Sequence, residues 1–213
     1  MYNYGPDTGE VVSEASPRNP RTRKGRIRVE MEGMLHDAVA QGLRTLVVRA
    51  GDFFGPRAPS SWVSKLMLGE GRADLRAVVT PELPGVGHAW AYLPDLAETV
   101  ALLADGEASL PAEERLHFGG HYLPGRGMAE AVRRVAGGTL PIHPFPWLPV
   151  YLGAPFNTFL REVIELRYLW RVPLRLDNGR LVAPLGQEPH TPLDAAIRAS
   201  FDALRASGGN RRP

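Results

Sequence analysis

The chain contains no cysteine among its 213 residues. This absence excludes disulfides, thiolate-bound metals and cysteine nucleophiles. No apolar run approaches the roughly 20 residues that a membrane-spanning helix needs. The first residues, Met1 to Pro6, have neither the basic start nor the apolar core of a signal peptide. We therefore expect a cytoplasmic protein with no membrane partner.

The sequence also lacks the short motifs of several enzyme classes. It has no phosphate loop ending in Gly-Lys-Ser/Thr, no Gly-x-Ser-x-Gly elbow, and no glycine-rich turn between a strand and a long helix. His117 and His121 are four residues apart, but the two glycines between them break the helix that would bring both to one metal ion. Each is therefore interpreted as a surface or loop histidine, and no metal site is predicted.

Charge is unevenly distributed along the chain. The formal net charge is +2, yet the remainder of the chain is slightly acidic once one basic stretch is set aside. That stretch consists of Arg18, Arg21, Arg23, Lys24, Arg26 and Arg28. Such a patch can face nucleic acid or the phosphates of a small ligand. No aromatic residue is interleaved with it, so nucleic acid is the minor alternative.

A helix, a turn and a strand organise the first half of the chain. Residues 27–41 carry apolar side chains at the spacing of one helix face: Ile27, Met31, Met34, Leu35 and Ala38. Gly42 follows where a left-handed helix end is expected. The run Leu46 to Val48 is typical of a buried parallel strand, which needs neighbours on both sides. Because open parallel sheets bind ligands at the carboxyl ends of their strands, the ligand site is predicted in residues 50–56.

The remaining segments alternate strands with helices and become mostly helical. Strands are predicted at 76–80 and 115–118, and a loop or hairpin at 175–182. Helices are predicted at 63–67 with Ser60 or Ser61 as cap, at 95–105 with Asp95 as cap, at 126–136, at 155–170 and from Thr191 onward. The tail 207–213 is predicted to be disordered.

These segments, in this order, resemble the extended short-chain dehydrogenases/reductases, which are the NAD-dependent epimerase/dehydratase family. The similar segments are Tyr4-Gly5-Pro6, Lys24-Gly-Arg-Ile-Arg28, Leu43 to Pro56, His88 to Glu98 and Thr191-Pro192-Leu193. They correspond to the second half of the family pattern only. The resemblance implies an N-terminally truncated form, whose glycine-rich cofactor turn would lie upstream, and it leaves an inactive form open as an alternative.

The resemblance further implies an α/β fold in two parts. Residues 1–119 would hold the last strands of a Rossmann-like NAD(P)-binding sheet, and residues 120–213 a small helical substrate-binding lobe. The implied function is NAD(P)-dependent epimerisation, dehydration or reduction of a sugar nucleotide or related carbonyl compound, through hydride transfer. The expected partners are a small-molecule substrate and, as an open alternative, a second copy of the chain. Two other functions remain open: a non-catalytic ligand-binding relative, and a nucleic-acid-associated module.

The family's catalytic pair is replaced in this chain. In the family a tyrosine acts as acid/base, and a lysine four residues later lowers its pKa and holds the cofactor ribose. Lys24 and Arg28 occupy these positions, on one helix face. Arg28 could still hold the ribose, whereas Lys24 could act as a base only if burial or a cationic neighbour lowered its pKa. A solvated helix start is the alternative for both.

The loop after the strand supplies the other implied contacts. Its residues Ala50, Gly51 and Phe53 would approach the nicotinamide, and Asp52 replaces the family's substrate-binding asparagine. The candidates for the substrate wall are Trp62, His88, Trp90 and Tyr92, each of which could equally be a core residue.

Overall fold

The computed structural model describes residues 1–69 and 75–209. The strands are β1 (Val11–Val12), β2 (Thr45–Arg49), β3 (Asp52–Phe54), β4 (Val78–Thr80), β5 (His88–Tyr92), β6 (Glu113–His117), β7 (His121–Leu123), β8 (Ile142–Pro144) and β9 (Arg175–Leu176). The α-helices are α1 (Arg23–Val39), α2 (Leu93–Asp105), α3 (Gly127–Val135), α4 (Trp147–Gly153), α5 (Thr158–Glu165), α6 (Gly179–Leu185) and α7 (Leu193–Gly209). One π-helical turn spans Val63–Met67, and 3-10 turns span Glu107–Ser109, Ala154–Phe156 and Leu166–Trp170.

The strands form small, mainly parallel sheets. β2 pairs with β6, β1 with β9, β4 with β8 and β3 with β5, all in parallel, while β7 runs antiparallel to β5. Parallel pairs need long crossover connections, and helical segments supply them here. The predicted α/β class, with partial parallel sheets followed by a mostly helical region, is confirmed.

β2 is only half-buried. Four of its five residues have intermediate exposure, and only Arg49, the last, is buried. Within the described residues β2 has a single hydrogen-bonded neighbour, β6. The prediction of a parallel strand is confirmed, whereas the prediction of a buried strand is wrong for four of its five residues in this chain.

α1 begins earlier than its apolar pattern predicts. The Thr22 hydroxyl accepts a hydrogen bond from the Gly25 amide at 3.0 Å and so caps the helix at its N-terminal end. The helix ends at Val39, and Gly42 follows with a φ of +88°, as predicted. The predicted start at residue 27 is wrong because the basic residues that precede it are part of the helix.

The predicted inner face of α1 is also wrong. Three of the apolar residues assigned to it are exposed: Ile27, Met31 and Met34. The buried residues are Gly25 and Glu32. A Cβ at Gly25 would lie 2.3 Å from the Tyr2 carbonyl oxygen, so the helix backbone passes close to the start of the chain. Glu32 binds Arg49 of β2, so a glycine contact and an ion pair orient this helix.

Three predictions for the second half of the chain are corrected. The helix predicted at 155–170 is divided in two, because the Asn157 side chain accepts hydrogen bonds from the amides of Phe159 and Leu160 and starts α5 there. The segment 175–182, predicted as a loop or hairpin, forms β9 and the start of α6. The tail predicted from residue 207 is helical to Gly209, and residues 210–213 lie outside the described part.

Asp95 has a different role from the predicted helix cap. The N-cap of α2 is Tyr92, and Asp95 lies within the first turn. Its carboxylate accepts hydrogen bonds from the Thr191 amide at 2.7 Å and the Thr191 hydroxyl at 2.6 Å. Asp95 therefore ties the start of α2 to the segment that leads into α7.

The largest apolar cluster lies between the β3–β5 pair and the helices α3 and α7. Trp90 and Trp170 pack there with Phe54, Met128 and Ile197, all nearly inaccessible to solvent. Full burial of each such side chain contributes about 1.5–3 kcal/mol. Trp90 and Tyr92 of β5 belong to this cluster, which thus holds β5 in place beside β3, the strand that follows β2. None of the helices in the described residues is long and apolar enough to span a bilayer.

Candidate active site

The loop after β2 brings Asp52 against the first residues of the chain. Asp52 begins β3, and its side chain is nearly buried, with 8% exposure. The Tyr2 hydroxyl donates a hydrogen bond to Asp52 Oδ1 at 3.2 Å. His88 Nε2 lies 2.9 Å from Asp52 Oδ2. Residues that are 50 and 36 positions from Asp52 in sequence thus meet on its carboxylate.

His88 is held between two acceptors. Its Nδ1 lies 3.1 Å from the Leu169 carbonyl oxygen, which can only accept a hydrogen bond. Nδ1 is therefore the donor of that hydrogen bond. The imidazole is stacked on Trp170 with ring centroids 4.0 Å apart. These contacts fix the His88 ring beside the Asp52 carboxylate.

Tyr2 is a neutral hydroxyl group at this site. The negative charge of Asp52, followed by burial of the ring, raises the pKa of Tyr2 far above its ordinary value. The phenol therefore remains protonated at physiological pH and serves as a hydrogen-bond donor. Proton transfer from Tyr2 to an external oxygen is feasible only if the phenolate is stabilised as the proton leaves.

A cavity of about 780 Å³ opens beside Tyr2 and Asp52. We call it the Asp52 cavity. Four of the residues predicted for the site line this cavity: Lys24, Asp52, Phe53 and Trp62. Its wall also includes residues 57–61 and parts of the π-helical turn, α4 and α5. It therefore lies at the carboxyl end of β2, the position that the sequence predicted for a ligand.

Lys24 and Arg28 are both in the first half of α1 but differ in their surroundings. Lys24 Nζ lies 3.4 Å from Glu162 Oε2, and 43% of the lysine side chain is exposed. Lys24 is thus paired with a carboxylate and is not deeply buried. Arg28 is exposed, with Nη1 3.8 Å from Met31 Sδ.

Ala50 and Gly51 have roles in backbone packing. The Ala50 carbonyl accepts a hydrogen bond from the Met1 amino group at 3.0 Å. A Cβ on Gly51 would lie 2.2 Å from the Ala89 carbonyl oxygen, so glycine is required there for β3 to approach β5. Phe53, by contrast, is 49% exposed and faces the cavity.

Three residues predicted for the substrate wall are core residues. Among the described residues that line the Asp52 cavity, His88, Trp90 and Tyr92 do not occur. β5 is buried along its whole length, so its side chains pack within the fold. His88 reaches the cavity only through Asp52, Trp90 packs on Trp170, and Tyr92 packs on Phe54.

His117 and His121 are buried, so their interpretation as surface or loop histidines is wrong. His117, 0% exposed, belongs to a chain of polar groups. Its Nδ1 lies 3.2 Å from the Val12 carbonyl oxygen, and its Nε2 lies 2.6 Å from the Tyr4 hydroxyl, which accepts a hydrogen bond from Arg49. Burial lowers the pKa of His117 to about 4.

His121 lies in a second buried group. Its ring centroid is 4.4 Å from that of His190, and its Nε2 has no hydrogen-bond partner among the described residues. Burial, followed by the charge of His190, lowers the pKa of His121 to about 4. Among the described residues, no three acidic or histidine side chains are placed to hold one metal ion.

Much of the basic stretch at 18–28 is paired with acidic side chains. Arg18 binds Glu32, Arg21 binds Asp7, and both Arg23 and Lys24 lie within 4.0 Å of Glu162. These contacts reduce the positive field that phosphate groups of a nucleic acid would meet.

Comparison with known proteins gives matches in structure only. No protein-family model and no curated protein matches the chain. RMD from Pseudomonas aeruginosa complexed with NADPH has a TM-score of 0.70 at 16% identity, over 96% of this chain and 63% of that chain. A UDP-glucuronic acid 4-epimerase from Bacillus cereus, in complex with UDP-glucuronic acid and NAD, has a TM-score of 0.73 at 14% identity, over 97% and 59%.

The chain has the fold of the NAD-dependent epimerases. A putative epimerase from Burkholderia cenocepacia J2315 gives the same result, with a TM-score of 0.71 at 19% identity over 96% of this chain and 61% of that chain. The resemblance to the extended short-chain dehydrogenases is thus confirmed at the level of the fold. The chain spans about three fifths of the length of these epimerase-fold structures.

Proposed function

We propose that this protein performs NAD(P)-dependent epimerisation, dehydration or reduction at the Asp52 cavity, on a sugar nucleotide or a related carbonyl compound. The observation that carries the proposal is the hydrogen-bonded chain Tyr2–Asp52–His88, which ends at the cavity with a proton-bearing hydroxyl. The similar structures bound to NADPH, NAD and UDP-sugars support the same cofactor and substrate class here. The division into a nucleotide-binding part, 1–119, and a substrate lobe, 120–213, stays a prediction, and both parts line the cavity.

The donor groups around the cavity fit the nicotinamide end of the cofactor. Lys24 lines the cavity, and the half-exposed Phe53 ring offers a flat apolar surface there. Arg28 is exposed one turn further along α1, outside the cavity lining, and is the donor we assign to the ribose hydroxyls. The sequence has no glycine-rich turn to hold the pyrophosphate. When bound, the cofactor supplies or accepts a hydride at the substrate carbon.

This chain's own residues would manage the accompanying proton. Reduction of a carbonyl adds a proton to its oxygen, and the Tyr2 hydroxyl at the cavity surface is the donor we assign to that step. The phenolate left on Tyr2 is reprotonated by water at the cavity surface, and Asp52, held in place by His88, orients the Tyr2 hydroxyl. Oxidation of an alcohol runs the same transfers in reverse. Lys24, which lies 3.4 Å from Glu162 Oε2 and lines the cavity, would orient the reacting oxygen.

Turnover and cofactor binding together test the proposal. NADH or NADPH is titrated into the protein and followed by cofactor fluorescence, and Arg28→Ala weakens the binding whereas its helix neighbour Arg26→Ala does not. Tyr2→Phe and Asp52→Asn lower kcat by about 100-fold, the usual contribution of a positioned acid/base, without changing cofactor affinity. Absence of saturable binding of either cofactor refutes the proposal, as does unchanged kcat in both variants.

A second candidate function rests on the replacement of the family tyrosine by Lys24. A relative that has lost this residue can bind a dinucleotide as a regulator without catalysis. Binding of NADPH with no oxidation by any carbonyl compound would favour this alternative. Binding to nucleic acid, the third alternative, predicts an affinity that falls steeply with salt.

A further inference from the structure

The wall of the Asp52 cavity is mainly apolar. Its side chains come from the π-helical turn, the β8–α4 connection, α4 and α5, and include Trp62, Phe145, Val150, Phe159, Leu160 and Val163. The aromatic members support one another, since the Trp62 ring meets Phe145 edge-on at 5.8 Å and Trp170 at 5.5 Å. The wall is therefore a preformed apolar surface, as is usual for small-molecule sites.

Several polar side chains also line the cavity. Tyr2 and Asp52, which share a hydrogen bond, and Lys24 belong to the site of the proposed chemistry. Ser60, Ser61, Arg57 and Lys65 line the cavity as well, and Arg57 and Lys65 are exposed. Neither Arg57 nor Lys65 has an acidic partner within 4.0 Å among the described residues. Two cations are thus available to a ligand at the cavity opening.

The apolar surface continues out of the cavity. Phe159, which lines the cavity, is 63% exposed, and Phe156, three residues earlier in the chain and outside the cavity lining, is 92% exposed. A sugar body against this wall would leave several hydroxyl groups without hydrogen-bond partners, and each such burial weakens binding. An apolar body against the same wall gains binding free energy in proportion to its buried area.

We propose that, within the carbonyl compounds of the proposed function, the ligand of this cavity is an amphiphile and not a sugar nucleotide: a carbonyl or alcohol on a long apolar body with an anionic group. The apolar body lies against Trp62, Phe159 and Val163, and the anionic group lies against Arg57 and Lys65. The oxygen-bearing carbon faces Tyr2 and Asp52. Only this last contact rests on the proposed function; the apolar and anionic contacts stand without it.

The test measures binding of cis-parinaric acid, a fluorescent fatty acid, to the full chain without cofactor. Val163→Asn weakens binding by about tenfold, the effect of one unpaired amide against the ligand. Ile164→Asn is the matched control, because Ile164 is its half-buried neighbour in α5 and is absent from the cavity lining. Phe156→Ser controls for binding to the exposed surface. Neither control changes the affinity, and thermal melting confirms that all three variants fold.

The charged end is tested with the same probe and its uncharged methyl ester. The acid binds more tightly than the ester, and combining Arg57→Gln with Lys65→Gln removes this difference. Equal binding of acid and ester to the unmodified protein contradicts the assignment of these two cations.

Three results would overturn the proposal. They are no binding of the probe, displacement of the probe by UDP-glucose at similar concentration, and loss of binding in Phe156→Ser with Val163→Asn unaffected. Failure of the proposed function has a different signature: the probe binds as described, but neither NADH nor NADPH binds.

Discussion

Replacement of Arg49 by methionine is expected to destabilise the protein strongly. The Glu32 and Arg49 side chains are 2% and 4% exposed, and Arg49 Nε and Nη2 donate to the two oxygens of Glu32 at 2.9 and 2.6 Å. Burial by itself would raise the pKa of Glu32, but the hydrogen bonds and charge of Arg49 lower it. Arg49→Met leaves this carboxylate buried with its main partner removed.

The magnitude follows from these contacts. Breaking a buried ion pair by removing one partner costs about 3–5 kcal/mol. Asn3 and Arg18 still donate to Glu32 at 2.5 and 3.1 Å, so the lower end, about 3 kcal/mol, is expected. The free energy of unfolding is measured by urea denaturation followed by tryptophan fluorescence. Such a loss is a large fraction of the 5–15 kcal/mol typical of a domain.

Two further variants separate the ion pair from packing. Arg18→Ala removes a partner that is 32% exposed from the same carboxylate and should cost under about 1 kcal/mol. The double variant Arg49→Met with Glu32→Leu should be more stable than Arg49→Met alone, because no unpaired charge remains buried. A cost below about 1 kcal/mol for Arg49→Met, or a double variant no better than the single one, refutes the reasoning.

Three other predictions concern stability. Glu82→Ala should lower the free energy of unfolding, measured by urea denaturation, by about 2 kcal/mol. The Glu82 side chain is buried and accepts hydrogen bonds from the amides of Met128 and Ala129 at the start of α3. A free energy of unfolding that is unchanged within error would contradict that role. Thr191→Val should lower the free energy of unfolding by about 1 kcal/mol, because it removes the hydroxyl that donates to Asp95 and leaves the Thr191 amide donor in place. The free energy of unfolding should fall as the pH is lowered from about 6.5 towards 4. The reason is that His117 and His121 have a pKa of about 4 in the folded protein and their ordinary, higher pKa in the unfolded chain, so the unfolded chain binds more protons in this range. The loss is up to about 3 kcal/mol for each histidine. Urea midpoints measured across this range check it, and pH-independent midpoints would show that these histidines are accessible.

Local patterns predicted the elements whose sequence signals lie within a few residues of one another. The parallel strand at 45–49, the strand at 113–117 and the helix start after Thr191 belong to this class. The orientation of α1 was not predictable from its own residues, because a distant partner, Arg49, turns Glu32 inward. The hydrophobic pattern of that helix indicated the opposite face.

In the candidate site, too, local sequence patterns were informative, whereas contacts between residues distant in sequence were not predictable. The strand-and-loop pattern predicted a ligand position near Asp52, and the structure places a cavity there. Tyr2 was missed because no local motif connects it to Asp52, which is 50 positions away. The one sequence feature that could have pointed to Tyr2 as a site residue is its position, two residues before the Tyr4-Gly5-Pro6 segment of the family resemblance. His88 was placed in the substrate wall because its strand pattern does not show that both faces of β5 are covered.

The π-helical turn at Val63–Met67 offers a way to change the shape of the cavity independently of the sheets. Its widened ring is closed by a hydrogen bond from the Leu68 amide to the Val63 carbonyl at 2.8 Å, and Trp62, Lys65 and Leu66 all reach the cavity from it. Loss of one residue here would leave an ordinary α-helical turn and rotate the flanking side chains by about 100° relative to each other. A single codon deletion or insertion could thus exchange one ligand preference for another during evolution while every strand pair stays in register.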